Sequence, residues 1–203
     1  MELILARHAH TGFNGANRLQ GDTVPLDAKG RLQAQALALR LAGGRFDAFY
    51  SSDQVRAWQT AQMINVQLDM DLQADARLRE LHFGVFTGLT DAEAALLHPD
   101  AYRAWRSNPE NAPPGGEADS TFRARVAHFY AEMCARYTGR RVLVVTHGGP
   151  LRALICEATG LRMGGLWHVE IANASLTAIR MIDGFALVTR LNDVGHLEVA
   201  GLA

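Results

Sequence analysis

The sequence predicts an α/β protein with three layers, in which a mostly parallel central sheet carries helices on both faces. The main observation is that short apolar strand-like runs alternate with helix-like segments along the chain. A second observation is that two of these runs end in a histidine, at His8 and His147. The length of 203 residues, of which 48% are hydrophobic, suits one domain with a buried core. We therefore expect a single domain over residues 1–203.

Composition excludes several functional classes. The charges nearly cancel, with 20 Lys and Arg against 21 Asp and Glu, so no broad nucleic-acid-binding surface is expected. No run of 18 apolar residues and no signal-like N-terminal segment occurs, so no contact with a membrane is expected. Cys134 and Cys156 form no CxxC pair, which favours a reducing, cytoplasmic location. The pattern leaves open whether the chain forms a homo-oligomer.

The first half of the chain predicts two strands, each followed by a helix. Between the first strand and its helix lies a loop of turn-forming residues, and a loop of that length is usually functional. Aspartate and serine are expected to cap the two helices. The expected elements are a strand over 1–6, a loop over 8–27, a helix capped by Asp27 and ended by Gly43-Gly44, a strand over 46–50, and a helix capped by Ser51-Ser52-Asp53.

The second half predicts an irregular insertion, a long amphipathic helix, a buried strand and a terminal set of short strands. The strongest strand signal is the run RVLVVT, and Pro150 suits the first turn of the helix that follows it. The expected elements are helical pieces near 91–97 and 101–105, a loop over 108–116, a helix carrying Phe122, Val126, Phe129 and Met133, a strand over 141–146, a helix ending at Gly160, and β-like runs over 168–171, 176–181 and 186–191, the last two joined by a hairpin at Asp183-Gly184.

Charged and imidazole side chains follow three of the predicted strands. Arg7-His8 follows the first strand, Arg56 lies just beyond the second, and His147 follows RVLVVT. Ligand sites of open α/β sheets gather at the carboxyl ends of strands, beside helix N-termini that favour anions. Each residue alone is more often structural than functional, so the argument depends on their joint placement. Two arginines and two histidines at one point predict a site for a phosphoryl group.

Several motifs resemble the histidine phosphatase superfamily, in the branch that contains cofactor-dependent phosphoglycerate mutase. The first is Arg7-His8-Ala9-His10-Thr11 with Asn14, and the others follow in the order found in that family. They are Arg18-Leu19-Gln20-Gly21, Ser51-Ser52-x-x-x-Arg56-Ala57-x-Gln59-Thr60-Ala61, Leu78-Arg79-Glu80-Leu81-x-Phe83-Gly84, Pro114-Gly115-Gly116-Glu117, Thr146-His147-Gly148-Gly149, and Asn173 with Ser175.

This resemblance implies a phosphoglycerate mutase-like fold and a metal-independent phosphatase that needs no cofactor. It implies that His8 attacks phosphorus and forms a phosphohistidine, while Glu80 protonates the leaving oxygen. Its remaining catalytic groups would be Arg7, Arg56 and His147, and its phosphate-binding groups Arg7, Asn14, Gln20, Arg56, His147 and Gly148. The substrate would be a small phosphorylated metabolite.

Two features bear on the activity that the resemblance implies. Ala9 replaces the glycine that normally follows the nucleophilic histidine, so its methyl group could crowd the phosphate or require an unfavourable φ. The insertion over about 82–117 resembles a short lid, in which Phe83, Phe86 and Trp105 could line the mouth of the site. A short lid leaves the site open to water, which favours a phosphatase over the alternative, a phosphoglycerate mutase.

Two remote alternatives belong to other classes. His8-Ala9-His10 forms an HxH pair, which also occurs in metal-dependent hydrolases, but that class needs further ligands and a longer barrel fold. A chain that binds phosphate without turnover is the other alternative, and Ala9 is its only support. The sequence therefore predicts a phosphatase without a metal site.

Overall fold

The chain folds around one six-stranded sheet, seen in a computed structural model that describes residues 1–108, 110–162 and 168–203. The order across the sheet is β3-β2-β4-β1-β5-β6. The four strands from β3 to β1 are parallel to one another. β5 pairs antiparallel with β1, and β5 and β6 form an antiparallel hairpin. The strands are β1 (Glu2–Arg7), β2 (Ala48–Ser51), β3 (Leu72–Ala74), β4 (Arg141–Thr146), β5 (Leu176–Ile182) and β6 (Phe185–Asp193).

Helices cover both faces of this sheet. The α-helices of the described residues are α1 (Gly12–Gly15), α2 (Ala28–Leu41), α3 (Val55–Leu68), α4 (Asp91–Leu97), α5 (Pro99–Ser107), α6 (Asp119–Arg136), α7 (Gly148–Thr159) and α8 (Gly195–Val199). Two short 3₁₀ turns, Ala76–Leu78 and Gly84–Phe86, lie in the connection between β3 and α4. None of the described helices is long and apolar enough to cross a membrane.

The apolar core lies in two layers because alternate residues of each strand face opposite sides. Leu3 and Leu5 of β1 face the layer formed with α6 and α7, whereas Ile4 and Ala6 face the layer formed with α2 and α3. β4 alternates in the same way, and its residues from Val142 to Thr146 are all buried. The predicted three-layer α/β fold is therefore confirmed.

Most predicted elements are present close to their expected bounds. The Asp27 side chain caps α2 by accepting a hydrogen bond from the Gly30 N–H at 2.8 Å. Gly160 ends α7 in the left-handed conformation, at φ 72°. The loop expected over 108–116 is irregular where it is described, and Pro109 lies outside the described residues.

Three local predictions are wrong or incomplete. The run over 168–171 is no strand, because the carbonyls of Val169 and Ile171 accept hydrogen bonds from arginine side chains instead of a strand. Ser51-Ser52-Asp53 does not cap α3, whose N-cap is Gln54 without a side-chain hydrogen bond. The three-residue edge strand β3 was not expected, since its run is too short to show a periodic pattern.

Candidate functional site

The carboxyl ends of β1, β2 and β4 meet at one edge of the sheet. Register pairs Arg7 with Thr146 and Ser51 with Val145. Just beyond these pairs, the His8 N–H donates to the Thr146 carbonyl at 2.8 Å and the Ser52 N–H donates to the Val145 carbonyl at 3.0 Å. The parallel ladder therefore brings the residues that follow all three strands to the same level, as the sequence predicts.

The two strand-end histidines are buried side by side. Their ring centroids are 5.1 Å apart, and His8 and His147 are 2% and 0% exposed. Burial lowers the pKa of both imidazoles well below the ordinary value, and the nearby Arg56 and Arg7 guanidinium groups lower it further. Both rings are therefore neutral near pH 7.

A backbone carbonyl determines which nitrogen of His8 is free. The Nδ1 atom lies 2.8 Å from the Ala9 carbonyl oxygen, which can only accept a hydrogen bond. Nδ1 must therefore carry the proton, and the lone pair of the neutral ring lies on Nε2. This arrangement leaves Nε2 as a nucleophilic atom at the strand edge.

Three buried side-chain nitrogen atoms at this edge have no partner among the described residues. They are Nε of Arg7, Nε of Arg56 and Nδ1 of His147. Buried polar atoms are nearly always satisfied, so this cationic group indicates a binding site for an anion. Burial is the main cause that lowers the pKa of Arg56, to about 10, and the neighbouring Arg7 charge adds to the effect. A bound anion would give these nitrogen atoms a partner and would raise the lowered pKa of Arg56.

The remaining contacts of these arginines hold them in place. Arg56 is 1% exposed, and its Nη1 donates to the Gly21 carbonyl at 2.7 Å. The Nη1 atom of Arg7 donates to the Ile171 carbonyl. Each guanidinium is therefore fixed by backbone before any ligand binds, which lowers the entropic cost of binding.

Glu80 lies against the start of α7. One carboxylate oxygen accepts from the Gly149 N–H at 3.2 Å, and the other accepts from the Leu81 N–H at 3.0 Å. The charge of this carboxylate raises the pKa of both Arg7 and Arg56, partly opposing the effect of burial. The structure thus brings Glu80 to the same cluster as the arginines and histidines.

The loop after β1 supplies two amide side chains. Asn14 Oδ1 accepts from the Thr11 N–H at 3.1 Å, and Gln20 Oε1 accepts from the Thr11 hydroxyl at 3.0 Å. The Nδ2 group of Asn173 donates both to Asn14 Oδ1, at 3.3 Å, and to the His8 carbonyl, at 3.1 Å. With their oxygens occupied, both amides are oriented to offer their NH₂ groups as donors.

Gly148, the first residue of α7, completes the predicted set. A methyl group built on Gly148 would lie 3.8 Å from the unpartnered Arg7 Nε and 3.1 Å from Arg152 Nη1. The helix N-terminus therefore faces the same cluster, where its free N–H groups favour an anion.

Ala9 does not disturb this arrangement. Its φ lies outside the left-handed region, and its N–H donates to the Thr60 hydroxyl at 3.1 Å. Its methyl group is fully buried in the apolar layer that contains Ala6 and Leu26. The methyl group packs in the core, so the two problems expected from replacing glycine do not arise.

His10 is turned to a different partner. Its Nδ1 lies 2.7 Å from Asp27 Oδ2, and its ring lies over Gly15 of α1. In the described part of the chain, no group of three His, Cys, Asp or Glu side chains could hold a metal ion. Among the described residues, the partner of the His10 ring is therefore the Asp27 carboxylate.

Two residues that the motifs did not single out hold the segment around Glu80. Arg125 of α6 donates to the carbonyls of Arg77, Arg79 and Glu80, and it pairs with both carboxylate oxygens of Glu117 at 2.8 and 2.9 Å. The side-chain oxygen of Gln54 accepts from the Glu80 N–H at 2.9 Å and from Arg56 at 3.2 Å. Neither has a periodic or motif signal in a single sequence.

A cavity of about 390 Å³ opens beside Glu80. Several charged or polar side chains line it, among them Asp22, Arg79, His82 and Thr121. The prediction that Phe86 lines the mouth of the site is wrong. Phe86 is fully buried and packs against Tyr102, Trp105 and His98 inside the insertion.

Close packing predicts the effect of Gly149→Ala. A methyl group on Gly149 would lie 2.2 Å from Glu80 Oε1, so the carboxylate must move. A displacement of about 1 Å can cost roughly 100-fold in rate, and we expect a loss of that order in kcat for an alkyl phosphate. Gly12→Ala is the matched control, because nothing lies within 4 Å of its added methyl group. Equal kinetics for the two variants would contradict the placement of Glu80.

The fold and this edge define a protein of the phosphoryl-transfer class, and comparison identifies the family. Residues 3–194 match the histidine phosphatase superfamily (branch 1), to which the chain belongs.

Among its relatives, the metal-independent phosphoserine phosphatase of Arabidopsis thaliana is 35% identical, over 98% of this chain and 84% of that protein. Phosphoserine phosphatase 1 of Hydrogenobacter thermophilus is 31% identical over 97% and 94%. The crystal structure of the alpha-ribazole phosphatase from Shigella flexneri is similar with a TM-score of 0.88 and 29% identity, covering 95% of this chain and 96% of that one. The chain is thus similar throughout to phosphomonoester hydrolases.

Proposed function

We propose that this chain hydrolyses small phosphomonoesters without a metal, through a phosphohistidine formed at His8. The observation that carries the proposal is the set of unpartnered buried nitrogen atoms on Arg7, Arg56 and His147 around the neutral His8 ring. Such donors suit the equatorial oxygens of a phosphoryl group, whose transfer depends mainly on position and charge.

In the first step, Nε2 of His8 attacks phosphorus and the bond to the ester oxygen breaks. The Ala9 carbonyl keeps the Nδ1 proton and stabilises the positive charge that develops on the imidazole. Arg7, Arg56 and His147 donate to the phosphoryl oxygens, and the amides of Asn14 and Gln20 assist. Glu80 gives its proton to the leaving oxygen, which departs as an alcohol.

In the second step, water replaces the alcohol beside Glu80. The ionised carboxylate takes a proton from the water as its oxygen attacks phosphorus, and the bond from phosphorus to His8 breaks. Inorganic phosphate leaves, the His8 ring is neutral again, and Glu80 has regained its proton. The cavity beside Glu80 supports this cycle, because it gives the alcohol and then water a place next to the carboxylate.

The substrate class follows from the relatives and from the cavity. Three of the compared proteins are named for phosphoserine or for alpha-ribazole phosphate, both phosphomonoesters with a polar alcohol. Charged side chains line the cavity here, which suits a polar leaving group. Phosphoserine is therefore the first natural ester to test. We further propose that residues 82–117 act as a short lid. We also propose a cytoplasmic location, because Cys134 and Cys156 form no CxxC pair in the sequence.

Steady-state hydrolysis with and without EDTA tests the proposed function. We expect phosphoserine and p-nitrophenyl phosphate to be hydrolysed at unchanged rates after EDTA treatment, because the cluster supplies its positive charge through arginine. The same preparation is assayed for phosphoglycerate isomerisation. Isomerisation faster than hydrolysis would favour a mutase, and inhibition by EDTA that added metal reverses would refute the metal-independent mechanism.

A further inference from the structure

A buried serine at the end of β2 contacts the second histidine of the site. The hydroxyl oxygen of Ser52 lies 2.9 Å from Nε2 of His147, and Ser52 is 0% exposed. The same oxygen accepts a hydrogen bond from the Gln54 N–H at 3.3 Å.

The hydrogen bonds assign a direction to the contact. The Ser52 oxygen accepts from the Gln54 N–H, and its own proton, because it is buried, also needs an acceptor. Nε2 of His147 is the acceptor at hand, within the part of the chain that the structure describes. The reverse direction would leave the buried hydroxyl proton without an acceptor, which is costly.

We propose that Ser52 is a positioning residue that holds the proton of the His147 ring on Nδ1, where it can be donated to the phosphoryl group. The proposal rests on the proposed function, in which His147 binds that group. Nδ1 is the unpartnered ring atom, and it lies across the ring from the nitrogen that faces Ser52.

The position of this proton decides whether His147 attracts or repels the anion. The ring is neutral, so it carries one proton and one lone pair. With the proton on Nδ1, the ring donates to a phosphoryl oxygen. With the proton on Nε2, it would present a lone pair to that oxygen and weaken binding in the transition state most of all.

The adjacent serine provides a matched control. Ser51 is equally buried, but its hydroxyl donates to the Ser52 carbonyl at 2.9 Å, and within the described part of the chain it forms no hydrogen bond with either histidine. Ser51→Ala therefore removes a buried hydroxyl of the same kind from the same strand end. Ser52→Thr keeps the hydroxyl and serves as the conservative rescue.

The first experiment measures the tautomer directly by NMR on histidine-labelled protein, without phosphate and near pH 7, with the His147 signal assigned from His147→Gln. We expect wild type, Ser51→Ala and Ser52→Thr to carry the proton on Nδ1, and Ser52→Ala to move population toward Nε2. A wild-type ring protonated on Nε2 would overturn the proposal, even if Ser52→Ala failed to fold. So would a Ser52→Ala ring whose tautomer matches that of wild type.

The second experiment is kinetic and separates this proposal from the proposed function. Ser52→Ala should lower kcat by about 10–100-fold, the range found when a residue that orients a metal-bound imidazole is lost, with a smaller change in KM. Ser51→Ala should lower it much less. An active wild type with the proton on Nε2 defeats only the Ser52 proposal, whereas an inactive wild type with the proton on Nδ1 defeats only the proposed function.

Discussion

His8→Ala is expected to abolish turnover of every phosphomonoester, lowering kcat/KM by about 10⁴-fold or more. The reason is that the variant loses the only nitrogen of the proposed mechanism that bonds to phosphorus. The arginines and His147 remain, so the variant should still bind inorganic phosphate. Rapid quenching of wild type with substrate, followed by mass spectrometry, should find one added phosphoryl group on the peptide that contains His8.

His10→Gln is the matched control for that experiment. It removes an imidazole two residues away, whose Nδ1 pairs with Asp27. Its turnover should stay near that of wild type if the phosphohistidine mechanism operates. If the activity depended on a metal bound by the HxH pair, His8→Ala and His10→Gln would lose activity equally. Retained hydrolysis in His8→Ala would refute the assignment of the nucleophile.

The strand ends were predictable because sheet geometry constrains them. A buried parallel strand followed by Arg7-His8, and another followed by His147, must end at one edge once the strands are adjacent. The order of motifs located Glu80, which no periodic pattern would have found. Its final position depends on a tertiary contact, the hydrogen bond from the Gly149 N–H. The spacing of residues along the sequence does not predict that contact.

Elements held by side chains were not predictable from local patterns. The segment over 168–171 has strand-like composition, but Arg7 and Arg152 bind its carbonyls and prevent pairing in a sheet. Ser52 similarly has the composition of a helix cap, but α3 begins only at Val55 and the Ser52 hydroxyl contacts His147. In both places a buried polar partner from a distant part of the chain overrides the local preference.

Glu80→Gln should have different effects on the two halves of the reaction. With phosphoserine, whose alkoxide is a poor leaving group, the missing proton should lower kcat/KM by about 10²–10⁴-fold. With p-nitrophenyl phosphate, whose leaving group needs little protonation, kcat/KM should fall much less. Water still lacks a base, however, so phosphohistidine should accumulate and give a burst of nitrophenol followed by slow turnover.

A second variant, Glu170→Gln, separates the effect of losing a negative charge from the effect of losing a proton donor. Glu170 is exposed and acts electrostatically on Arg7, as Glu80 does. Glu170→Gln removes one negative charge near the same guanidinium but no proton donor, so its kinetics with both substrates should remain close to those of wild type. Similar losses for the two variants, or equal losses of Glu80→Gln on both esters with no burst, would mean that Glu80 acts through its charge and that another group moves the proton.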